Sequence, residues 1–331
     1  MSIISVGSSR LEWIDWMKVL GIYLVVLGHF YSIGEKFIYV FHIPLFFLIS
    51  GFLSKRESDK HVFWKKLWYN LAVPMLVMTV INFVYACGVQ VCDGTFDGAA
   101  FYWFVRNVVF GMVAGFDTLW FVYTLMLLKM VFQYCSNQKI FYALSVMLLA
   151  LAYVYNHANL SGLPFFLNQP NAIVDACTAF PFFALGVFAR DYKHLLNGRH
   201  QSHRLIPLAV IGFLFVSVCW YYNGNVGLHA CCYGGNMLLF LLGGLAGSIM
   251  VFAVSKLFGR TVQPITIISR GTIIILGLHK LLIYLVRAFF PASSLDVVFA
   301  AIIIILFVPV ILMVEKSFPL MAGIYRIKSM K

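Results

Sequence analysis

The chain has 331 residues, 62% of them hydrophobic and 11% charged, against a globular norm near half apolar and about a quarter charged. An ordinary soluble domain is excluded: so few charges cannot clothe a core of this size, and lipid must solvate much of the surface. The net charge of +12 does not point to nucleic acid, because the Lys and Arg residues lie between apolar runs rather than on one folded face.

In chain order, the long apolar runs predict an all-α polytopic membrane protein, with about ten transmembrane helices in a single domain over residues 1–331. The first run, Ile14 to Tyr31, carries Asp15, Lys18 and His29 and has no small-residue cleavage pattern, so it reads as a retained span rather than a signal peptide. Further helices are expected at Phe37 to Leu53, Leu67 to Gly88, Leu119 to Tyr134, Ile140 to Tyr155, Cys177 to Ala189, Leu205 to Tyr222, Met237 to Leu257, Ile265 to Phe290 and Leu295 to Val314. Phe101 to Val113 is short, holds Arg106, and reads as a re-entrant or interfacial segment.

If that segment does not cross, both termini are cytoplasmic and the protein lies in the inner (plasma) membrane. Of the 24 Lys and Arg, only Lys36, Arg106 and Arg287 then fall outside and Lys18, Arg270 and Lys280 within helices, the rest gathering on the inner side. The outer loops, Cys92 to Gly98 and Asn156 to Asp175, are polar and uncharged or acidic. The seven cysteines show no paired spacing, so no metal site is expected. Nor is there a P-loop, a GxSxG elbow or an HExxH motif.

Lys18 and His29 are eleven residues apart, three helical turns plus about 20°, and share one face about 16 Å apart along the axis. Asp15 lies about 40° from His29 on the same stripe and is expected to pair with Lys18. Ionisable groups on one face of a spanning helix should turn into the bundle, because exposure to lipid is costly. The turn to the second helix is short, which brings His42 near the level of His29, and Pro44 is tolerated in the first turn. His279, with Lys280 beside it in a late apolar helix, also points to an interior cavity.

Lys18, ten residues and His29, followed by Phe41-His42-Ile43-Pro44-Leu45-Phe46-Phe47 and Ile49-Ser50-Gly51-Phe52-Leu53, resembles the membrane-bound acyltransferase 3 family. Leu119-Trp120-Phe121-Val122-Tyr123, Phe182-Phe183-Ala184-Leu185-Gly186-Val187 and the late helix ending at His279 extend the similarity, in order, over nearly the whole chain. The resemblance implies one integral-membrane acyltransferase domain that moves an acyl group, with acetyl expected, from cytoplasmic acyl-CoA to a hydroxyl of a cell-surface or lipid-linked saccharide. Acyl-CoA (acetyl-CoA) is then a donor substrate, and no permanently bound cofactor is implied. The glycan and the lipid bilayer are the other partners, nucleic acid is not one, and a homo-oligomer is left open.

On that reading His29 is the general base, an imidazole being suited to take a proton from a hydroxyl and pass it to the thiolate. Asp15, about 21 Å away along the helix, is too far to orient it, which leaves Asp117 or Glu35. His42 and Arg106 complete the catalytic set, with Arg106 a candidate oxyanion or sugar contact. Lys18, Lys65 and Lys66 would bind the phosphates of CoA as point charges, and Trp120, Tyr123 and His279 would contact the acceptor. The family expects an arginine where this chain has Asn70. The rival reading is a transporter or flippase with an intramembrane His and Lys path, which commonly shows repeats and broken helix pairs; the sequence shows neither.

Overall fold

The computed structural model describes residues 10–32, 34–110, 120–157, 172–197, 202–229 and 231–324. Their regular structure is helical apart from one isolated Gly227–Cys232 bridge. The chain begins with α1 (Glu12–Gly28), turns through Tyr31 and Gly34 at positive φ, and continues in α2 (Glu35–Tyr39) and α3 (His42–Leu53). Next come α4 (Lys60–Leu67), a π-helical turn at Trp68–Ala72 and α5 (Val73–Cys92). α6 (Ala100–Phe110), α7 (Trp120–Tyr134), α8 (Gln138–His157), α9 (Ala172–Asp191) and α10 (Lys193–Asn197) follow. The last part holds α11 (Ser202–Asn223), α12 (Met237–Phe258), α13 (Gln263–Arg270), α14 (Thr272–Phe289) and α15 (Asp296–Ser317).

Among the described residues, 8 helices are long and apolar enough to cross a membrane. The two other expected spans are α1, with 17 residues, and α7, with 15, about 26 and 22 Å long at 1.5 Å per residue. The described part of α6 has 11 residues, about 16 Å, and residues 111–119 lie outside the described residues. It lies against α5, where Phe83 and Phe104 stack at 4.0 Å.

Three departures from the sequence reading have physical causes. The helix expected from Ile265 to Phe290 is broken into α13 and α14 at Gly271. A Cβ there would lie 2.3 Å from the Ile311 side chain, while Arg270 is held by Glu315 of α15 at 2.8 Å. The widened turn at Trp68–Ala72 is explained by Pro74, which has no N–H for the carbonyl of Asn70 and crowds it sterically. α9 starts at Ala172 rather than Cys177, so Asp175 belongs to a helix and not to the preceding loop.

Because lipid supplies no hydrophobic drive between helices, close packing of small residues must hold them. Gly51 of α3 and Gly186 of α9 do this reciprocally: a Cβ on Gly51 would lie 2.0 Å from the Phe183 carbonyl oxygen, and one on Gly186 2.0 Å from that of Leu48. The two sequence motifs Ile49–Leu53 and Phe182–Val187 are thus the two halves of one helix crossing. On α12, Gly247 receives the ring of Phe41, 2.1 Å from where its Cβ would stand, and this fixes the corner at which His42 begins α3.

Gly186→Val should force α3 and α9 apart at a cost of about 1–3 kcal/mol, seen as a lowered melting temperature in detergent. Gly88→Ala, where nothing lies within 4 Å, should be stable as wild type or slightly better.

Candidate functional site

His29, the C-cap of α1, and His42 and His279, within helices, are each held by the carbonyl four residues earlier, as is His157 on α8. His29 Nδ1 lies 2.8 Å from the Val25 carbonyl, His42 Nδ1 2.9 Å from that of Ile38, and His279 Nδ1 2.8 Å from that of Ile275. A carbonyl only accepts, so each Nδ1 carries the proton and each Nε2 is left with a lone pair. His279 Nε2 is 3.1 Å from His29 Nδ1. The Nδ1–H of His29 is therefore shared between its own helix and α14, and the ring is clamped between them. Arg287 secures the end of α1 just beyond, bonding the Phe30 carbonyl at 2.9 Å while paired with Asp296 at 2.7 Å.

His29 and His42 line one cavity of about 250 Å³ together with Tyr31, Tyr39, Trp120, His229 and Lys280. Among the described residues, no protein atom bonds the Nε2 of either histidine. A second cavity of about 250 Å³ holds Lys18, Ser50, Lys129 and Thr272, and shares Val25, Ile43, Phe121 and Leu276 with the first. A third, about 360 Å³, holds Ser54, Lys55, Glu57, Lys66, Asn70 and Gln133, and shares Leu53, Leu71 and Lys129 with the second. The three form a series of chambers with common walls, running from Lys55 and Lys66 through Lys129 and Lys18 to the imidazoles, which share their chamber with Lys280.

The expected Asp15 to Lys18 pair is not formed. Asp15 is buried and accepts from Arg10 Nε at 2.5 Å and from Ser269 Oγ at 2.5 Å, because α13 and the residues before α1 reach it first. The carboxylate in turn raises the pKa of Arg10 through their hydrogen bond. Lys18 makes no ion pair among the described residues and stands on the wall of a mainly apolar chamber. Lys129 donates to Ser54 Oγ at 2.9 Å, and Lys66 pairs with Glu57 at 2.7 Å.

Of the remaining expected residues, Lys65 is exposed and lines none of the three chambers. Arg106 lies with its guanidinium 4.1 Å over the Trp103 ring on α6 and does not line the histidine chamber. Tyr123 donates to the Val108 carbonyl at 2.5 Å, tying α7 to α6. His279 is fully buried behind His29 and does not line the chamber either. Glu35 is the first residue of α2 and, among the described residues, makes no bond to His29. Asp117 lies outside the described residues.

Three residues the sequence reading passed over belong to the site. Lys129 was legible as a lone lysine in an apolar run but was assigned to a helix end. Asp175 and His229 were not, since a loop histidine and a carboxylate 54 positions apart carry no shared periodicity. In the structure His229 Nδ1 meets Asp175 Oδ2 at 2.7 Å, and its ring stacks on Trp120 at 4.5 Å and 23°. The segment between α11 and α12 that presents His229 is tightly bonded: Gly227 and Cys232 exchange backbone bonds of 2.8 and 3.0 Å, and Tyr233 Oη meets Thr178 Oγ1 at 2.7 Å. Burial there pushes the Cys231 thiol up to about 12 and raises the Tyr233 phenol, so neither ionises near neutrality.

A family model described as an acyltransferase domain matches residues 11–314. No curated protein and no solved structure matches the chain.

Proposed function

The chain belongs to the membrane-bound acyltransferase 3 family, and is an acyltransferase built from multiple apolar helices; on that footing we propose that it transfers an acyl group, acetyl in the first instance, from cytoplasmic acyl-CoA to a hydroxyl of a cell-surface or lipid-linked saccharide. The membrane is the inner (plasma) membrane, with both termini cytoplasmic. The observation that carries the reading is the series of chambers joining Lys66, Lys129 and Lys18 to His29 and His42. A donor with an anionic head and a long thin arm ending in a thioester fits such a path.

The phosphates sit against Lys66 and Lys55, with Lys129 and Lys18 along the arm. The unpaired Lys18 is the strongest argument for an anionic ligand, since a cation facing an apolar chamber is costly unless something answers its charge. At the other end His29 Nε2 takes the proton of the acceptor hydroxyl as its oxygen bonds to the thioester carbonyl carbon. The tetrahedral intermediate collapses with cleavage of the C–S bond, and the imidazolium returns the proton to the departing thiolate. His279 and the Val25 carbonyl hold the Nδ1–H so that Nε2 stays the basic atom. Lys280 and Tyr39 line the same chamber and would face the developing oxyanion. His42 Nε2 offers a second acceptor to the incoming hydroxyl.

His29→Ala should lower kcat about 10²–10⁴-fold in purified protein given labelled acetyl-CoA and candidate glycans, with the protein still folded and inserted. Wild-type turnover by that variant, or vectorial glycan movement without acceptor-dependent thiol release, would overturn the mechanism. Lys18→Met should raise the donor KM about tenfold or more, the worth of one charged hydrogen bond, and leave the acceptor KM alone. His279→Phe fills the same space but cannot accept from His29, and should cost up to about 10²-fold in kcat through misplacement of the base.

A further inference from the structure

We infer that His229, Asp175 and Trp120 form a second contact for the acceptor: His229 Nε2 binds a hydroxyl other than the one acylated, while Asp175 and Trp120 position its ring. The inference rests on acyl transfer at His29. His229 lines the same chamber as His29 and His42, yet comes from a different part of the fold, the segment between α11 and α12. Its Nδ1 is committed to Asp175 Oδ2 at 2.7 Å, so Nε2 is the atom left for a ligand. The indole of Trp120 covers one face of the ring at 4.5 Å and prevents it from swinging.

A purely structural staple would not need this pair. The segment is already fastened to α9 by Tyr233 and Thr178, one helical turn from Asp175, and internally by Asn223, which donates to the Tyr233 carbonyl at 2.8 Å. Asp175, by contrast, is fully buried, and its Oδ1 has no partner among the described residues. A carboxylate buried at a span end with one imidazole for company costs more than an apolar contact of the same shape. The His229 side chain remains 23% exposed, Asp175 0%. That gradient, a buried anchor behind a half-open imidazole facing a cavity, is how a side chain is oriented for a ligand.

The consequence is selectivity. His29 Nε2 and His229 Nε2 both require a donor from the ligand, and a buried acceptor left unmatched is penalised. An acceptor with one hydroxyl satisfies one imidazole; a polyol satisfies both.

The test uses the purified full-length protein with acetyl-CoA, a glycan acceptor, and analogues in which single hydroxyls are replaced by hydrogen. His229→Phe should raise the acceptor KM about tenfold or more, leave the donor KM unchanged, and become indifferent to the loss of one hydroxyl that wild type penalises. Asp175→Ala should match His229→Phe, with the double variant no worse than either. Asp175→Asn, which can still accept from Nδ1–H, should keep most of the affinity. His229→Gln guards against a folding defect in the Phe variant and should show the same acceptor-specific change. An unaltered acceptor KM in His229→Phe and His229→Gln, with His29→Ala inactive, would overturn this contact and spare the acyl-transfer reading. Absence of acceptor-dependent thiol release from wild type would overturn both.

Discussion

An ionisable side chain within a spanning helix must be turned away from hydrocarbon, and this requirement organises the bundle. Lys18 sets the rotation of α1, Lys129 that of α7, Asp175 that of α9 and His279 that of α14. With those faces inward, Lys18 and Lys129 line the middle chamber, while Asp175 and His279 lie fully buried against the imidazoles of His229 and His29. The interlocked backbones at Gly51 and Gly186 supply the rigidity that such a cavity-bearing interior lacks. Packing and polarity are thus divided between helices: α3 and α9 cross tightly, while α1, α7 and α14 stand around open volume.

The imidazoles show how a helix can replace a carboxylate. Orienting a histidine base commonly takes a third residue. Here the carbonyl one turn earlier does it three times over, and at His29 a second imidazole adds to it. On the proposed mechanism, the carboxylate that would conventionally sit behind the base sits behind His229 instead. Two differently supported imidazoles on one chamber give two chemical characters: one ring held by dipoles alone, the other backed by an acidic group.

Much of this was legible beforehand. The length of the apolar runs placed the spans, and the angle between Lys18 and His29 placed both on the inward stripe. The motifs around Gly51 and Gly186 were visible as strings, though not as partners, because nothing in either string encodes the other. The Asp15 partner was misjudged: proximity along α1 favoured Lys18, whereas Ser269 and Arg10 reach it through tertiary contact. The break at Gly271 was invisible in a continuous apolar run, since its cause is the Ile311 side chain on another helix. His229 and Asp175 stayed hidden for the same reason. Of the Phe101 to Val113 segment, residues 111–113 lie outside the described residues, and its arginine lies against Trp103 rather than on the histidine chamber.

The bond between His29 and His279 joins rings 250 positions apart. At elongation rates of about 5–20 residues per second, the ribosome needs roughly 12–50 s to travel from one to the other. Throughout that interval the nascent chain already displays its first imidazole but has no second ring to steady it. On the proposed mechanism, competence arrives late in synthesis, when the penultimate long helix docks, and a polypeptide abandoned earlier would lodge in the bilayer without a working centre.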